Sequence, residues 1–155
     1  MSVTRLLIRL FDLVFSLTGL ILLSPLLLFI SLRIILSDGL PVFYVQLRVG
    51  KAGKDFRLYK FRTMRVDADR SGKLTVGGRD PRVTSSGHLL RKYKLDELPQ
   101  LFNVLRGDMS LIGPRPEPLE AQTHYVGDEW RRLLVRPGLT GWAQAAGRNS
   151  IPWRK

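Results

Sequence analysis

Apolar residues fill the chain from Leu13 to Leu32 without a single charge, a run of 20 residues that matches the length of a bilayer-spanning helix. Arg9, Asp12 and Arg33 bracket it. Pro25 sits in mid-run. It has no N–H to offer Ile21 and its ring crowds that carbonyl, so a break is predicted at Ser24-Pro25, where the Ser24 hydroxyl can serve the freed backbone. Arg5 and Arg9 precede the run, and Arg33, Arg48, Lys51 and Lys54 follow it; by the positive-inside rule both flanks belong on the cytoplasmic side. Two forms fit a broken apolar helix: a kinked span, and a re-entrant helix that returns to the face it entered. The second satisfies both flanks at once. A cleaved signal peptide fits less well, because no small-residue cleavage site follows Leu36 and Ser37-Asp38-Gly39-Leu40-Pro41 reads as a helix stop.

Beyond the stop, the period shifts. Residues 42–47 and 56–63 are β-rich around Gly50-Lys51-Ala52-Gly53-Lys54, which predicts a hairpin. Alternation on its second strand puts Phe56, Leu58, Lys60 and Arg62 on one face, with Lys60 and Arg62 side by side as a phosphate clamp. Residues 67–81 have no period and read as a long loop, a candidate lid. Thr84, Ser85 or Ser86 opens a short helix with Leu89, Leu90 and Tyr93 on one side and Arg91, Lys92 and Lys94 on others, suited either to a headgroup layer or to a soluble core. His88, in this apolar run, is read as packing. A second helix is predicted over 98–106, closed by Gly107, with Asp96 as its N-cap. A polar helix over 119–134 and a Gly-rich segment around Gly138, Gly141 and Gly147 complete the chain. Nothing repeats.

The length of 155 residues suits one globular domain. The formal charge of +12, from 25 basic against 13 acidic residues, calls for an anionic partner. Nucleic acid, acidic lipid and phosphorylated small molecules all qualify. The chain has no cysteine, which removes disulfides and thiolate chemistry. His88 and His124 belong to no ligand-spaced cluster, and no nucleophile-elbow pattern surrounds a serine. A nucleophile, if there is one, is then most simply a carboxylate. No dinucleotide fingerprint or Walker loop occurs. The basic residues are not interleaved with aromatic platforms, so nucleic acid is not the expected partner.

The candidate chemistry centres on Asp96 and Glu97, just behind Arg91, Lys92 and Lys94. Neighbours in a helical turn point about 100° apart, so the two carboxylates cannot share one task. Lys60, Arg62, Arg91, Arg115 and, less centrally, Arg148 are the candidates for neutralising substrate phosphate. Arg115 is held between Pro114 and Pro116 on a stiff loop, and arginine suits a bidentate grip on phosphate oxygens.

Several segments then coincide, in order, with one family. They are Ser24-Pro25, Lys60-Phe61-Arg62-Thr63-Met64, Asp80-Pro81-Arg82, Leu95-Asp96-Glu97-Leu98-Pro99-Gln100, Asn103-Val104-Leu105-Arg106-Gly107-Asp108-Met109-Ser110, Gly113-Pro114-Arg115-Pro116 and Arg136-Pro137-Gly138-Leu139-Thr140-Gly141. The chain resembles the bacterial sugar transferases, the monotopic polyprenyl-phosphate phosphoglycosyl transferases. The resemblance implies an α+β, mainly helical fold, with a re-entrant membrane helix over residues 1–40 and a cytoplasmic catalytic domain over 41–155. A small hairpin and interfacial amphipathic helices would surround the site. It implies transfer of a phospho-sugar from a UDP-sugar to undecaprenyl phosphate at the cytoplasmic face of the bacterial inner membrane. Asp96 would be the nucleophile, forming an aspartyl phospho-sugar and releasing UMP. Glu97 would position or activate the second substrate, and Mg2+ would lie near Asp96. The resemblance leaves a homo-oligomer open. Family catalytic domains continue some tens of residues past the Gly-Arg-Asn segment, whereas this chain stops at Lys155. The alternative is therefore a truncated, inactive homologue that binds polyprenyl phosphate or nucleotide sugar without turnover.

Overall fold

The computed structural model describes residues 3–68 and 80–142. The apolar run forms two helices, α1 (Val3–Leu22) and α2 (Ser24–Asp38), parted at Leu23. The break falls where Pro25 removes a donor, and Pro25 is accommodated in the first turn of α2, where donors have no intrahelical partner. Gly39 stops α2 at φ 75° while its N–H reaches back to the Ile35 carbonyl at 3.2 Å. Among the described residues no single helix is long and apolar enough to cross a membrane; α1 and α2 reach that length and composition only together, as a bent pair.

The remaining elements are β1 (Phe43–Val49), β2 (Asp55–Phe61), α3 (Ser85–Lys92), α4 (Gln100–Arg106), β3 (Ser110–Ile112) and β4 (Gly138–Thr140). The fold is α+β and mainly helical. β1 and β2 pair as the expected hairpin, around a 3-10 turn at Lys51–Gly53. The helix predicted over 98–106 instead starts at Gln100. The helix predicted over 119–134 is two 3-10 segments, Leu119–His124 and Gly127–Leu134, because Tyr125 and Val126 are extended and Gly127 sits at φ 57°. The Gly-rich segment contributes β4, which pairs in parallel with β3 through Ser110 to Gly138 and Ile112 to Thr140. A Cβ at Gly138 would lie 2.1 Å from the Gly113 nitrogen, so only glycine permits that approach.

Contacts divide the chain into two compact units, each holding one N-terminal helix. The first comprises Met1–Ile21, Gln46–Leu58 and Gln100–Lys155. Its core is Phe56, Leu58, Val104 and Met109, with Leu111 and Leu139 packed against them. Arg9 and Asp12 of α1 are structural here. Arg9 donates to the Val104 and Leu105 carbonyls at 2.7 and 2.8 Å, capping the negative end of α4. Asp12 is fully buried and its Oδ1 accepts from the Ser110 hydroxyl at 3.0 Å and the Leu111 N–H at 2.9 Å.

The second unit comprises Leu22–Val45 and Tyr59–Pro99. Ile30, Ile34, Phe61 and Leu90 form its core, with Leu26, Leu27, Val42 and Leu95 against them. Phe43 stacks on Phe61 at 5.4 Å. Thr84 caps α3 by accepting from the Gly87 N–H at 3.0 Å. Only Leu90 of the expected apolar side is buried; Leu89 and Tyr93 are exposed, and so is His88, which is not a packing residue.

Candidate active site

The second unit carries Asp96, Glu97, Lys60, Arg62 and Arg91. Their placement follows from how α3 ends. After Tyr93 the chain turns through Lys94, a non-glycine residue in the left-handed region at φ 59°, and enters a 3-10 turn over Leu95–Glu97. Leu95 is drawn into the apolar cluster around Ile30 and Phe61, which carries Asp96 inward. Pro99 offers no N–H to prolong the turn. Asp96 is therefore not the N-cap of a helix, as its sequence context predicts. It lies in a tighter turn ahead of α4, and the field of a helix end does not account for its environment.

Asp96 is 9% exposed, and its Oδ1 is buried with no hydrogen-bond partner among the described residues. Burial pushes its carboxyl above the ordinary aspartate value, opposed by the Lys60 ammonium; Glu97 raises it further, while Lys94 and Arg91 lower it. Lys60, the penultimate residue of β2, places Nζ 3.2 Å from Glu97 Oε1. Arg91, on the last turn of α3, donates from Nε to the Thr63 hydroxyl at 3.0 Å. Two neighbouring carboxylates thus have unlike surroundings: Glu97 is ion-paired, and Asp96 keeps one oxygen without a donor.

Arg62 is placed otherwise than predicted. β2 ends at Phe61, so the strand alternation that would set Arg62 beside Lys60 stops one residue short. Its Nη2 instead donates to the Asp38 and Gly39 carbonyls. Arg115 is exposed on its Pro-flanked loop and belongs to the first unit, where it lines a small depression with Val49, Glu117, Tyr125 and Arg132. There Tyr125 donates to Glu117 at 2.7 Å, and burial followed by that carboxylate pushes its hydroxyl up to about 12. Arg148 lies outside the described residues, as does the greater part of the loop read as a lid. In the motif Asp80-Pro81-Arg82, Arg82 Nη2 sits 2.7 Å from Asp80 Oδ2, and this pairing holds the Asp80 carboxyl down to about 2.

Sequence reasoning missed three features: the left-handed Lys94, the Thr63 contact of Arg91, and the anchoring of α1 by Arg9 and Asp12. A polar residue breaking an apolar helical stripe was the available signal for Asp12. Nothing local marks the other two.

Among the described residues no group of three or more His, Cys, Asp or Glu side chains is disposed to hold a metal ion. The donors at hand are the orphaned Asp96 Oδ1 and the neighbouring Glu97 carboxylate. Such a set suits magnesium, which takes one or two protein carboxylates and completes its shell with water and substrate phosphate.

The family model for bacterial sugar transferases matches residues 3–155. A Bacillus subtilis protein named uncharacterized sugar transferase EpsL is 48% identical over 147 residues, covering 95% of this chain and 72% of its own length. The UDP-N-acetylgalactosamine-undecaprenyl-phosphate N-acetylgalactosaminephosphotransferase of Aeromonas hydrophila is 44% identical over 136 residues, 86% of this chain and 32% of that protein. The UDP-glucose:undecaprenyl-phosphate glucose-1-phosphate transferase of Escherichia coli is 43% identical over 149 residues, 94% of this chain and 32% of that protein. This chain thus spans about a third of the length of the two relatives whose names state a reaction. With the ordered motifs, the neighbouring carboxylates in one turn and a family match over nearly every residue, the chain belongs to the bacterial sugar transferase family.

Proposed function

We propose that the chain transfers a phospho-sugar from a UDP-sugar to undecaprenyl phosphate, with Asp96 as the nucleophile. The observation that carries this reading is the buried Asp96 carboxylate with one oxygen unpartnered among the described residues, beside a Glu97 already engaged by Lys60. A deprotonated carboxylate in that setting is poorly solvated, which makes it more reactive than one in water.

In the first step an Asp96 oxygen forms a bond to the sugar-linked phosphorus. The bond from that phosphorus to the bridging oxygen breaks, and the electron pair leaves with UMP. In the second step an oxygen of the polyprenyl phosphate attacks the same phosphorus. The acyl phosphate bond breaks, and the Asp96 carboxylate is regenerated. Lys60 and Arg91 supply positive charge near the reacting phosphate, as phosphoryl transfer requires. Glu97, held by Lys60, is placed to orient or deprotonate the second substrate. Magnesium, bound at Asp96 with substrate phosphate, would neutralise charge on the diphosphate.

The helix break at Leu23 and the basic residues on both flanks support a re-entrant anchor over residues 1–40, with a catalytic domain over 41–155 on the cytoplasmic face. Leu89 and Tyr93, exposed beside Lys92 on α3, suit the headgroup layer. The names of the relatives support the substrate classes and leave the sugar open, since one names N-acetylgalactosamine and another glucose. A panel of UDP-sugars, assayed with undecaprenyl phosphate and magnesium for UMP release, tests the reading. One sugar nucleotide turned over by the wild type and not by D96N is the expected result; turnover by D96N at the wild-type rate removes the nucleophile.

A further inference from the structure

We propose that Arg62 is a positioning residue of this transfer: by clamping the carbonyl end of α2 it fixes the end of β2 and so holds Lys60 against Glu97. The inference rests on the reading of Asp96 and Lys60 given above.

Arg62 is 5% exposed. Its Nη2 donates to the Asp38 carbonyl at 2.7 Å and to the Gly39 carbonyl at 2.6 Å, while its backbone N–H donates to the Val42 carbonyl at 2.8 Å. One residue thereby joins the last turn of α2, the segment following it and the end of β2. Both hydrogens of Nη2 are committed. A guanidinium grips an anion with two prongs either through Nε with one terminal nitrogen or through both terminal nitrogens, and here each available grip includes or flanks the occupied Nη2. Nε and Nη1 have no partner among the described residues, yet a phosphate held in a fork would compete with the two carbonyls. The arrangement is that of a helix C-terminal cap, in which a cation also meets the negative end of the α2 dipole.

What this cap positions is two residues upstream. Phe61, between Arg62 and Lys60, is buried and stacked on Phe43, so the backbone here has little freedom to absorb a shift. Lys60 then reaches Glu97 at 3.2 Å. The charged groups near Asp96 are Lys60 from β2, Arg91 from α3, and Glu97 and Lys94 from its own turn; Asp38, at the capped end of α2, has its Oδ2 buried with no partner among the described residues. Loosening the cap lets Lys60 move away from Glu97.

The full chain, in detergent or vesicles, is compared as wild type, R62M, R62Q and R62K, each checked for folding by thermal melting. The first measurement is the rate at which an acylating reagent modifies the Lys60 amine, followed by mass spectrometry. About threefold faster modification is expected in R62M and R62Q, and a rate close to wild type in R62K, whose ammonium can donate to both carbonyls. The second is UMP release per folded molecule, which should fall by about threefold in R62M and R62Q and return toward wild type in R62K. Wild-type Lys60 modification in either folded uncharged variant, or a failure of R62K to restore it, overturns the proposal. UMP release by D96N at the wild-type rate would instead sink the catalytic reading and leave the labelling result standing.

Discussion

Lys60 Nζ and Glu97 Oε1 lie 3.2 Å apart, with 19% and 13% of their side chains exposed. Half-buried pairs of this kind lose more when one partner is removed than the pair itself contributes. In K60M, Glu97 loses this ammonium, and the Asp96 site loses a cation that would meet the substrate diphosphate. UMP release should fall by about 100-fold, the usual cost of removing one electrostatic contact to a reacting group. A K60M enzyme within threefold of the wild type would remove Lys60 from the mechanism.

The buried Asp96 carboxylate has a consequence for stability as well as for rate. Its folded-state value is raised above the unfolded 3.8, chiefly by burial. The folded protein therefore binds the proton more tightly, and this group favours folding fully only below 3.8; that contribution is lost as pH rises through the raised value. Replacing the charge with a neutral amide should raise the melting temperature of D96N above wild type at neutral pH, with the gain shrinking as the pH falls toward 4. In parallel, the acid limb of wild-type UMP release should lie above the pH at which an exposed aspartate titrates. A D96N protein less stable than wild type at neutral pH would contradict the direction.

At Gly87 the constraint is steric. A Cβ added there would lie 2.1 Å from the Thr63 carbonyl oxygen, on the residue whose hydroxyl receives Arg91. G87A must push α3 away from the end of β2. A loss of about 1 to 3 kcal/mol is expected, as for overpacked sites, with a drop in activity beyond what the folded fraction explains. Urea unfolding beside an activity assay checks both.

Asp12 is 1% exposed and serves two donors, the Ser110 hydroxyl and the Leu111 N–H. D12A leaves both without an acceptor and should cost about 2 kcal/mol or more. Thermal melting in detergent measures it, and an unchanged melting temperature would mean that α1 is not held by this contact.

Much of the site was legible because its determinants are local. The break at Ser24-Pro25 follows from one missing donor, and the hairpin from alternation around two glycines. The acidic pair at Asp96 and Glu97, with basic residues before it, stood out by composition. What was not legible depends on residues far apart in the chain. The pairing of Ser110 with Gly138 spans a long intervening segment and leaves no period in either strand. Arg9 meets the Val104 carbonyl across 95 positions, so its charge read as a membrane flank. Strand alternation predicts Arg62 beside Lys60, but β2 ends at Phe61; a cap on a distant helix end cannot be seen from the strand itself. The left-handed Lys94 likewise has no sequence signal, since glycine or asparagine would be the usual occupant, yet it decides that Asp96 sits in a 3-10 turn.

The most direct test is to trap the first step. The wild-type chain is incubated with magnesium and the UDP-sugar it accepts, in the absence of polyprenyl phosphate, then quenched in acid, digested and analysed by mass spectrometry. The predicted result is a phospho-sugar mass on the peptide containing Asp96, absent in D96N and lost when polyprenyl phosphate is added. Product formation at an undiminished rate with no such adduct on Asp96 would contradict it.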